Sequence, residues 1–493
     1  MDAFAKASDP RPLTHEETRL IVVGVLVPVF MASLDNTILA SALPTIGREF
    51  GDVHSLPWLI TAYLLAATAA MPLFGKIGDI HGRRFTLRIA IGIYLAASLI
   101  CALAPTMLVL ILGRALQGIG GAGLASTSVV ILGDIAAPKE RGKYYAYFSM
   151  TYTTAGACGP LFGGFLADHV HWSAIFWMNI PLGLVALAIT SSLLRRLPRH
   201  ERPHRLDVVG AILIVAASVS FMLALNLAGI RYPWTSLPVL ALLACALIVG
   251  FGFVLRLVSA PEPLIPISIL LDPVARWAVI ANSFGWGSVI GLNIFLPMYL
   301  QSVIGLSPTD AGLSLMIFMV SLNASAGLAG QVLCRVNRYK ILPMISVVVA
   351  IGSVATLAWW ADRLGPLSFE VLLFLIGTGF GPLPSLTAVA LQNAVERHQL
   401  GIAIGTMNFC RNLFATMLVA ALGALVLTGT SSLDQGGLGP GRLGGALSPD
   451  AADAAAAFSR VFLAVAASLL IAFVALVLIE ERPLRTDRPQ AAN

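Results

Sequence analysis

Three ionisable residues stand inside long apolar runs. Asp35 lies in VFMASLDNTILASALP, Arg114 in LVLILGRALQGIGGAG, and Arg411 in GTMNFCRNLFATM, between Asn408 and Asn412. A charge in the middle of a hydrocarbon layer costs roughly 3 kcal/mol or more, so an ionisable group kept there marks a working site or a pair. Withdrawal from water disfavours the ionised form of a carboxyl, whereas a guanidinium keeps its charge. An arginine that approaches such a carboxyl and then retreats therefore unloads and loads a proton. This chemistry requires that the carboxyl reach a water-accessible passage. Asp35 is expected about 15 residues into the first span, roughly 22 Å, and Arg114 about 7 residues, roughly 10 Å, into the fourth, which is entered from the opposite side. In a core about 30 Å thick the two come to similar depth. Arg411 comes near the middle of the thirteenth span. The alternative reading is that each is a satisfied structural group.

Other clusters carry less chemistry and more mechanics. In GKIGDIHGRRF, Gly75, Gly78 and Gly82 permit tight packing and turns. Asp79 can accept from Arg83 or Arg84, or face a helix N-terminus, and such a cluster can latch helix ends in one state. In TTAGACGPLFGGFLAD, Gly156, Gly159, Gly163 and Gly164 leave a smooth face for close helix contact, and Pro160 favours a bend; a rocking interface between two halves is expected there. Asn282, Trp286, Asn293 and Tyr299 are candidates for a substrate pocket, with interhelical packing as the alternative. The segment Gly118–Gly123 matches GxGxxG, but no strand precedes it and a dinucleotide site is not expected. There is no P-loop, HExxH or GxSxG. The expectation is no enzyme, no cofactor and no metal, with energy drawn from an ion gradient. The five cysteines, Cys101, Cys158, Cys245, Cys334 and Cys410, fall in apolar runs without a CxxC and are expected as packing residues.

The elements that must position these groups follow from composition. The 493 residues are 57% apolar and 11% charged, less than half the charged share of a soluble chain, about 25%. A soluble enzyme or nucleic-acid-binding protein is excluded. Apolar runs of about 20 residues fit spanning helices, not barrel strands of about 10. We count fourteen runs: 20–42, 55–74, 85–104, 107–132, 144–167, 174–194, 208–228, 236–257, 275–300, 309–332, 340–361, 365–388, 401–428 and 459–480. The first is too long for a signal peptide's core. With the N-terminus cytoplasmic, 24 of the 31 Lys and Arg fall in the interior segments, 5 outside and 2 within spans. The positive-inside rule then puts both termini in the cytoplasm, and the net charge of +6 reports topology rather than a polyanionic partner. A weak echo between ALPTIGREF…SLPWLITAYLL and FLPMYLQSVIGLSP…AGLSLMIF suggests two comparable halves with two helices inserted between them.

These residues resemble the major facilitator superfamily, in its fourteen-helix drug/proton antiporter branch. LDNTILASALP (34–44) is similar to that branch's first-helix signature, GKIGDIHGRR (75–84) to the superfamily's loop motif G-x-L-A-D-R-x-G-R-R, with Ile80 where Arg or Lys is usual. GRALQGIGGAG (113–123) is similar to the fourth-helix motif, and GACGPLFGG (156–164) to the fifth-helix antiporter motif, shortened between its first two glycines. The resemblance implies an all-α, fourteen-span membrane protein. It has a tail at 1–19, a six-helix bundle at 20–194, a basic loop at 195–207, two inserted helices at 208–257, and a second bundle at 275–480 with an outer loop at 429–458. A tail follows at 481–493. It implies proton-coupled multidrug efflux of amphipathic or cationic compounds across the cytoplasmic membrane, as in drug resistance. Asp35, Arg114 and Arg411 would serve coupling or substrate, Gly75, Asp79, Gly82, Arg83 and Arg84 the latch, and Gly159 and Pro160 the bias toward export. Partners are then a small-molecule substrate, protons and the bilayer, with no nucleic acid and an adaptor protein left open. Alternatives are export of a dedicated metabolite or lipid, and import.

Overall fold

The computed structural model describes residues 15–52, 55–136, 138–193, 206–229, 231–333, 340–360, 366–429 and 451–482. Helices α1 (His15–Phe50), α2 (Leu56–His81), α3 (Arg83–Ala102), α4 (Met107–Ile135), α5 (Pro138–His169) and α6 (Ala174–Leu193) form a first half. Helices α7 (Val208–Leu227) and α8 (Leu237–Ser259) follow as a hairpin, then a short α9 (Ile267–Leu271). The second half comprises α10 (Pro273–Ser302), α11 (Pro308–Leu333), α12 (Ile341–Trp360), α13 (Pro366–Phe380), α14 (Pro382–Ala394), α15 (Leu400–Gly429) and α16 (Ala451–Leu478).

Thirteen described stretches are long and apolar enough to cross a bilayer. The fourteenth expected span corresponds to α5, which has the length, 32 residues, but whose first turns, PKERGKYY, and later threonines and glycines make it the least apolar of the long helices. Helices α13 and α14 are one stretch, Leu367–Ala394, broken at Gly381 because Pro382 and Pro384 withdraw two backbone donors. α1 overruns the expected 20–42 at both ends, since the hydrogen-bonded helix continues through polar LPTIGREF beyond the apolar run. Local chemistry sets several starts: Thr106 accepts from Val109 N and Asp272 from Ala275 N, which satisfies an orphan amide at the head of α4 and of α10. α8 is apolar almost all round and little of it is covered, as a lipid-facing helix requires.

Four of the expected cysteines, Cys101, Cys158, Cys245 and Cys410, are free; Cys334 lies outside the described residues, as do the chain termini, the loop 195–205 and most of 429–458. The segment Gly118–Gly123 is interior to α4. There a Cβ on Gly118 or Gly121 would strike Tyr63 of α2, one on Gly120 would strike Tyr94 of α3, and one on Gly123 would strike Ala90 and Phe74. The glycines of the GxGxxG match thus serve backbone approach between helices.

The apolar core forks. One cluster joins both halves, with Phe74, Leu132 and Phe148 from the first and Leu391, Ile402 and Phe409 from the second. Two others are confined to a single half: Leu34, Ile38, Leu59, Trp172 and Phe176 in the first, and Leu296, Tyr299, Phe318, Phe369 and Phe458 in the second. The joined end carries the α2–α3 turn and the start of α5, with Lys76, Arg83, Arg84, Arg141 and Lys143, and is the basic end of the molecule. The hydrogen bonds and glycine contacts between halves run from that end to mid-span. α2 meets α15 at Gly75–Gly401, Met71–Gly405 and Thr68–Asn412. α5 meets α11 at Gly142–Gly330 and Ser149–Asn323. One helical turn beyond Thr68 on the same face of α2, Leu64 is 47% exposed. The halves therefore part beyond that level into a cleft facing away from the basic end.

Candidate functional site

In the first half, α1, α2, α3, α4 and α6 converge on Asp35, which is 1% exposed. The Nη1 of Arg114 donates to Asp35 Oδ2 and to Gln117 Oε1 at 2.6 Å. Its Nε donates to the Leu59 carbonyl at 3.1 Å, and its Nη2 reaches Asn36 Oδ1 at 3.5 Å. The guanidinium also lies over the Tyr63 ring, 4.6 Å from its centroid, where the ring quadrupole favours a cation. Asp35 Oδ1 accepts from Asn179 Nδ2 at 2.8 Å and Gln117 Nε2 at 3.2 Å, and Gln117 and Asn179 share Ser98 Oγ. The carboxylate thus has three side-chain donors and a full countercharge. Asp35 and Arg114, expected at similar depth, are in direct contact. The required water-accessible passage is absent: in this state the carboxylate is sealed, with its side chain 0% exposed.

At the basic end, Asp79 works in both ways open to it. Its Oδ1 accepts from Arg83 Nη1 at 2.6 Å and from the Gly401 amide at 3.0 Å, and its Oδ2 accepts from the Ile402 amide at 2.8 Å. A carboxylate of the first half thus sits on the N-terminus of α15, where unpaired amides and the helix dipole favour an anion. Arg83 also donates from Nε to Asp134 Oδ2 at 2.8 Å. Arg84 binds the Ser191 carbonyl of α6 instead of Asp79. A Cβ on Gly75 would collide with the Gly401 carbonyl, so this approach is open to glycine alone. Gly82 turns the chain between α2 and α3 at φ +84°, a region that other residues enter at a cost.

The glycine-rich part of α5 requires a correction. Gly159 and Gly163 press on Thr37, Ile38 and Ser41 of α1, and Thr37 Oγ1 donates to the Ala155 carbonyl at 3.0 Å. This is a contact within the first half, not a rocking interface between halves, because that face of α5 is turned toward α1. Gly156 has no atom within 4 Å of a would-be Cβ. Pro160 and Gly164 lie in a continuous helix, and their surroundings are outside the described residues. The glycine contact between halves is instead Gly142 on Gly330, nearer the basic end.

In the second half, Arg411 stacks on Trp286, 4.9 Å from the ring centroid. Its Nε reaches Asn412 Oδ1 at 3.4 Å. Asn412 Nδ2 in turn approaches Thr68 Oγ1 at 3.4 Å and Met71 Sδ at 3.6 Å across the seam. The other pocket candidates scatter. Asn282 is buried with its Oδ1 unpartnered, and Asn293 is half-buried and bonds within α10 and to Met319. Tyr299 packs among Phe369, Phe458 and Phe462 in the core.

The family model described as Major Facilitator Superfamily matches residues 25–420. The chain belongs to the major facilitator superfamily. It is 29% identical to the Bacillus subtilis "Multidrug transporter protein MdtP" over 83% of this chain and 75% of that one. It is 30% identical to "Efflux pump dotC" of Dothistroma septosporum over 82% and 70%. Solved superfamily structures share the fold. A proton:xylose symporter, XylE, superposes with a TM-score of 0.60 at 12% identity, covering 96% of this chain and 98% of that one. A bacterial homologue of ferroportin in an outward-facing state gives 0.65 at 13%, covering 94% and 98%. As a superfamily member the chain is a multi-pass membrane protein of transporter type.

Within this superfamily member, reading the sequence missed Asn179, Ser98, Asn36, Asp134 and the Gly142–Gly330 contact. Asn179 had a signal, a lone amide in the apolar run FWMNIPLGL, and Asp134 is an acid at a span's end facing a basic loop. Ser98 and Gly142 had none, since such residues are common wherever helices pack closely.

Proposed function

We propose that this chain exports amphipathic small molecules from the cytoplasm by exchange for protons, with both termini on the cytoplasmic side of the cell membrane. The observation that carries the reading is the forked core: a cleft between two halves, closed at the basic end by Asp79 on the α15 N-terminus and by the paired glycines. By the positive-inside rule the basic end faces the cytoplasm, so the cleft opens outward, the state from which an exporter releases cargo and takes up protons. The names of the relatives support efflux. The buried Asp35–Arg114 pair supplies the coupling element: protonation of Asp35 removes the countercharge of Arg114 and frees that arginine to move, which links proton uptake to rearrangement of α1 against α4. Since the carboxylate is sealed in this state, proton entry requires the two helices to separate, and the pair is the gate as well as the carrier.

The sealed, fully bonded geometry favours one other reading, a purely structural pin that holds α1, α4 and α6 together. Dye and drug accumulation in cells with and without the protein, with and without an uncoupler, tests the first. Export is expected to fall to background on uncoupling, and in an Asp35→Asn variant present at normal level in the membrane. Undiminished, uncoupler-sensitive export by that variant assigns the pair to structure alone.

A further inference from the structure

Arg411 is held unlike any other membrane-embedded charge described here. It lies eleven residues past the start of α15, roughly 16 Å along the axis at 1.5 Å per residue, so it stands well inside the hydrocarbon thickness. None of the described ion pairs includes it. The one carboxylate at comparable depth, Asp35, is already saturated by Arg114, Gln117 and Asn179. Of the Arg411 nitrogens, only Nε has a described hydrogen bond, a long one to the neighbouring Asn412; Nη1 and Nη2 have none. Stacking on Trp286 orients the plane and leaves the outer edge of the fork open.

The guanidinium is not enclosed: Arg411 is only half-buried. Tyr152 of α5, in the opposite half, is 46% exposed. Asn412, next to Arg411, makes the outermost described bond between α2 and α15, and the exposed Leu64 and Ile60 of α2 lie beyond it. Arg411 therefore stands at the floor of the cleft, where the halves begin to part. A guanidinium cannot shed its charge, and a lone cation at this depth persists beside water or an anionic ligand. Its free edge presents paired donors in the geometry that a carboxylate or sulfonate accepts.

We infer that Arg411 anchors an anionic head group on the cargo, so that the cleft takes amphipathic organic monoanions, with the apolar body lying against Trp286, Tyr152 and Leu64. This inference rests on the export reading above and replaces the amphipathic or cationic cargo expected from sequence with an anionic one: Arg411 is in none of the described ion pairs, and Asp35, at comparable depth, is already bonded.

The test uses the full-length protein in proteoliposomes and two permanently charged, poorly permeant probes on one skeleton, naphthalene-2-sulfonate and (2-naphthylmethyl)trimethylammonium. The wild type is expected to move the sulfonate at least tenfold faster than the ammonium. Arg411→Gln is expected to lower the sulfonate-to-ammonium ratio at least tenfold, and Arg411→Lys, which keeps the charge but loses the fork, to retain a preference for the sulfonate. Preference for the ammonium, or a ratio unchanged in Arg411→Gln, overturns the inference. So does transport of neither probe by protein that exports the dyes of the cell assay, and both results leave export standing. Failure to export any compound overturns the export reading instead.

Discussion

Arg114, in the first half, and Arg411, in the second, both stand in helices that cross the hydrocarbon, and they are held in opposite ways. Arg114 is enclosed by Asp35, Gln117, Asn36, the Leu59 carbonyl and the Tyr63 ring. Arg411 has the Trp286 ring and one long bond to Asn412. The same side chain is thus internally neutralised in one half and left available in the other. On the proposals above, the difference divides labour between the halves. The first keeps its charges to itself and suits a proton-linked rearrangement, while the second offers a charge to whatever enters the cleft.

The largest expected effect comes from unbalancing the enclosed pair. Asp35→Asn or Arg114→Gln alone strands a buried polar or charged partner, a change that costs about 3–5 kcal/mol when one member of a buried pair is removed. Thermal unfolding in detergent is expected to show that loss in each single variant and to recover most of it in the double variant, where no charge is left unmatched. At the other arginine, Arg411→Gln is expected to leave stability within about 1 kcal/mol of wild type or to raise it, since a half-buried cation with no described ion partner is removed. A loss as large as that of Arg114→Gln would erase the contrast.

The seam between halves gives the next effects. Gly75→Ala or Gly401→Ala introduces a Cβ where the backbones touch, and overpacking of this kind typically costs about 1–3 kcal/mol. Because the clash exists only while the basic end is closed, it appears as a population shift. Spin-label distances across that end are expected to lengthen in either variant. Asp79→Asn weakens the charge–dipole contact with α15, worth about 0.3–2 kcal/mol, and is expected to shift the same distances less. Smallest of all is Gly156→Ala, where the Cβ meets nothing within 4 Å; stability is expected to stay within about 0.5 kcal/mol.

How much of this was legible in the sequence depends on which residues carry it. Asp35 and Arg114 announce themselves because an apolar run makes a charge conspicuous, and their similar depth follows from helix rise alone. The pairing of Asp79 with Arg83 was readable, but not that Arg84 would choose Ser191 over Asp79, since that depends on where α6 ends. The spans were legible from length, their limits less so: α1 continues to Phe50 because hydrogen bonding does not stop where apolarity does. The break at Gly381 had its signal in Pro382 and Pro384. The role of Gly159 and Gly163 was misjudged because a smooth helix face does not say which neighbour it meets; in the structure that neighbour is α1.

The most direct test of the coupling claim uses the double variant Asp35→Asn/Arg114→Gln, in which stability and proton chemistry are separated. In proteoliposomes, wild type and variant are compared for substrate exchange at equal pH and for uphill transport driven by an imposed pH gradient. The account predicts that the variant keeps exchange and loses gradient-driven accumulation. Accumulation equal to wild type, still abolished by an uncoupler, would contradict it and return the pair to a structural role.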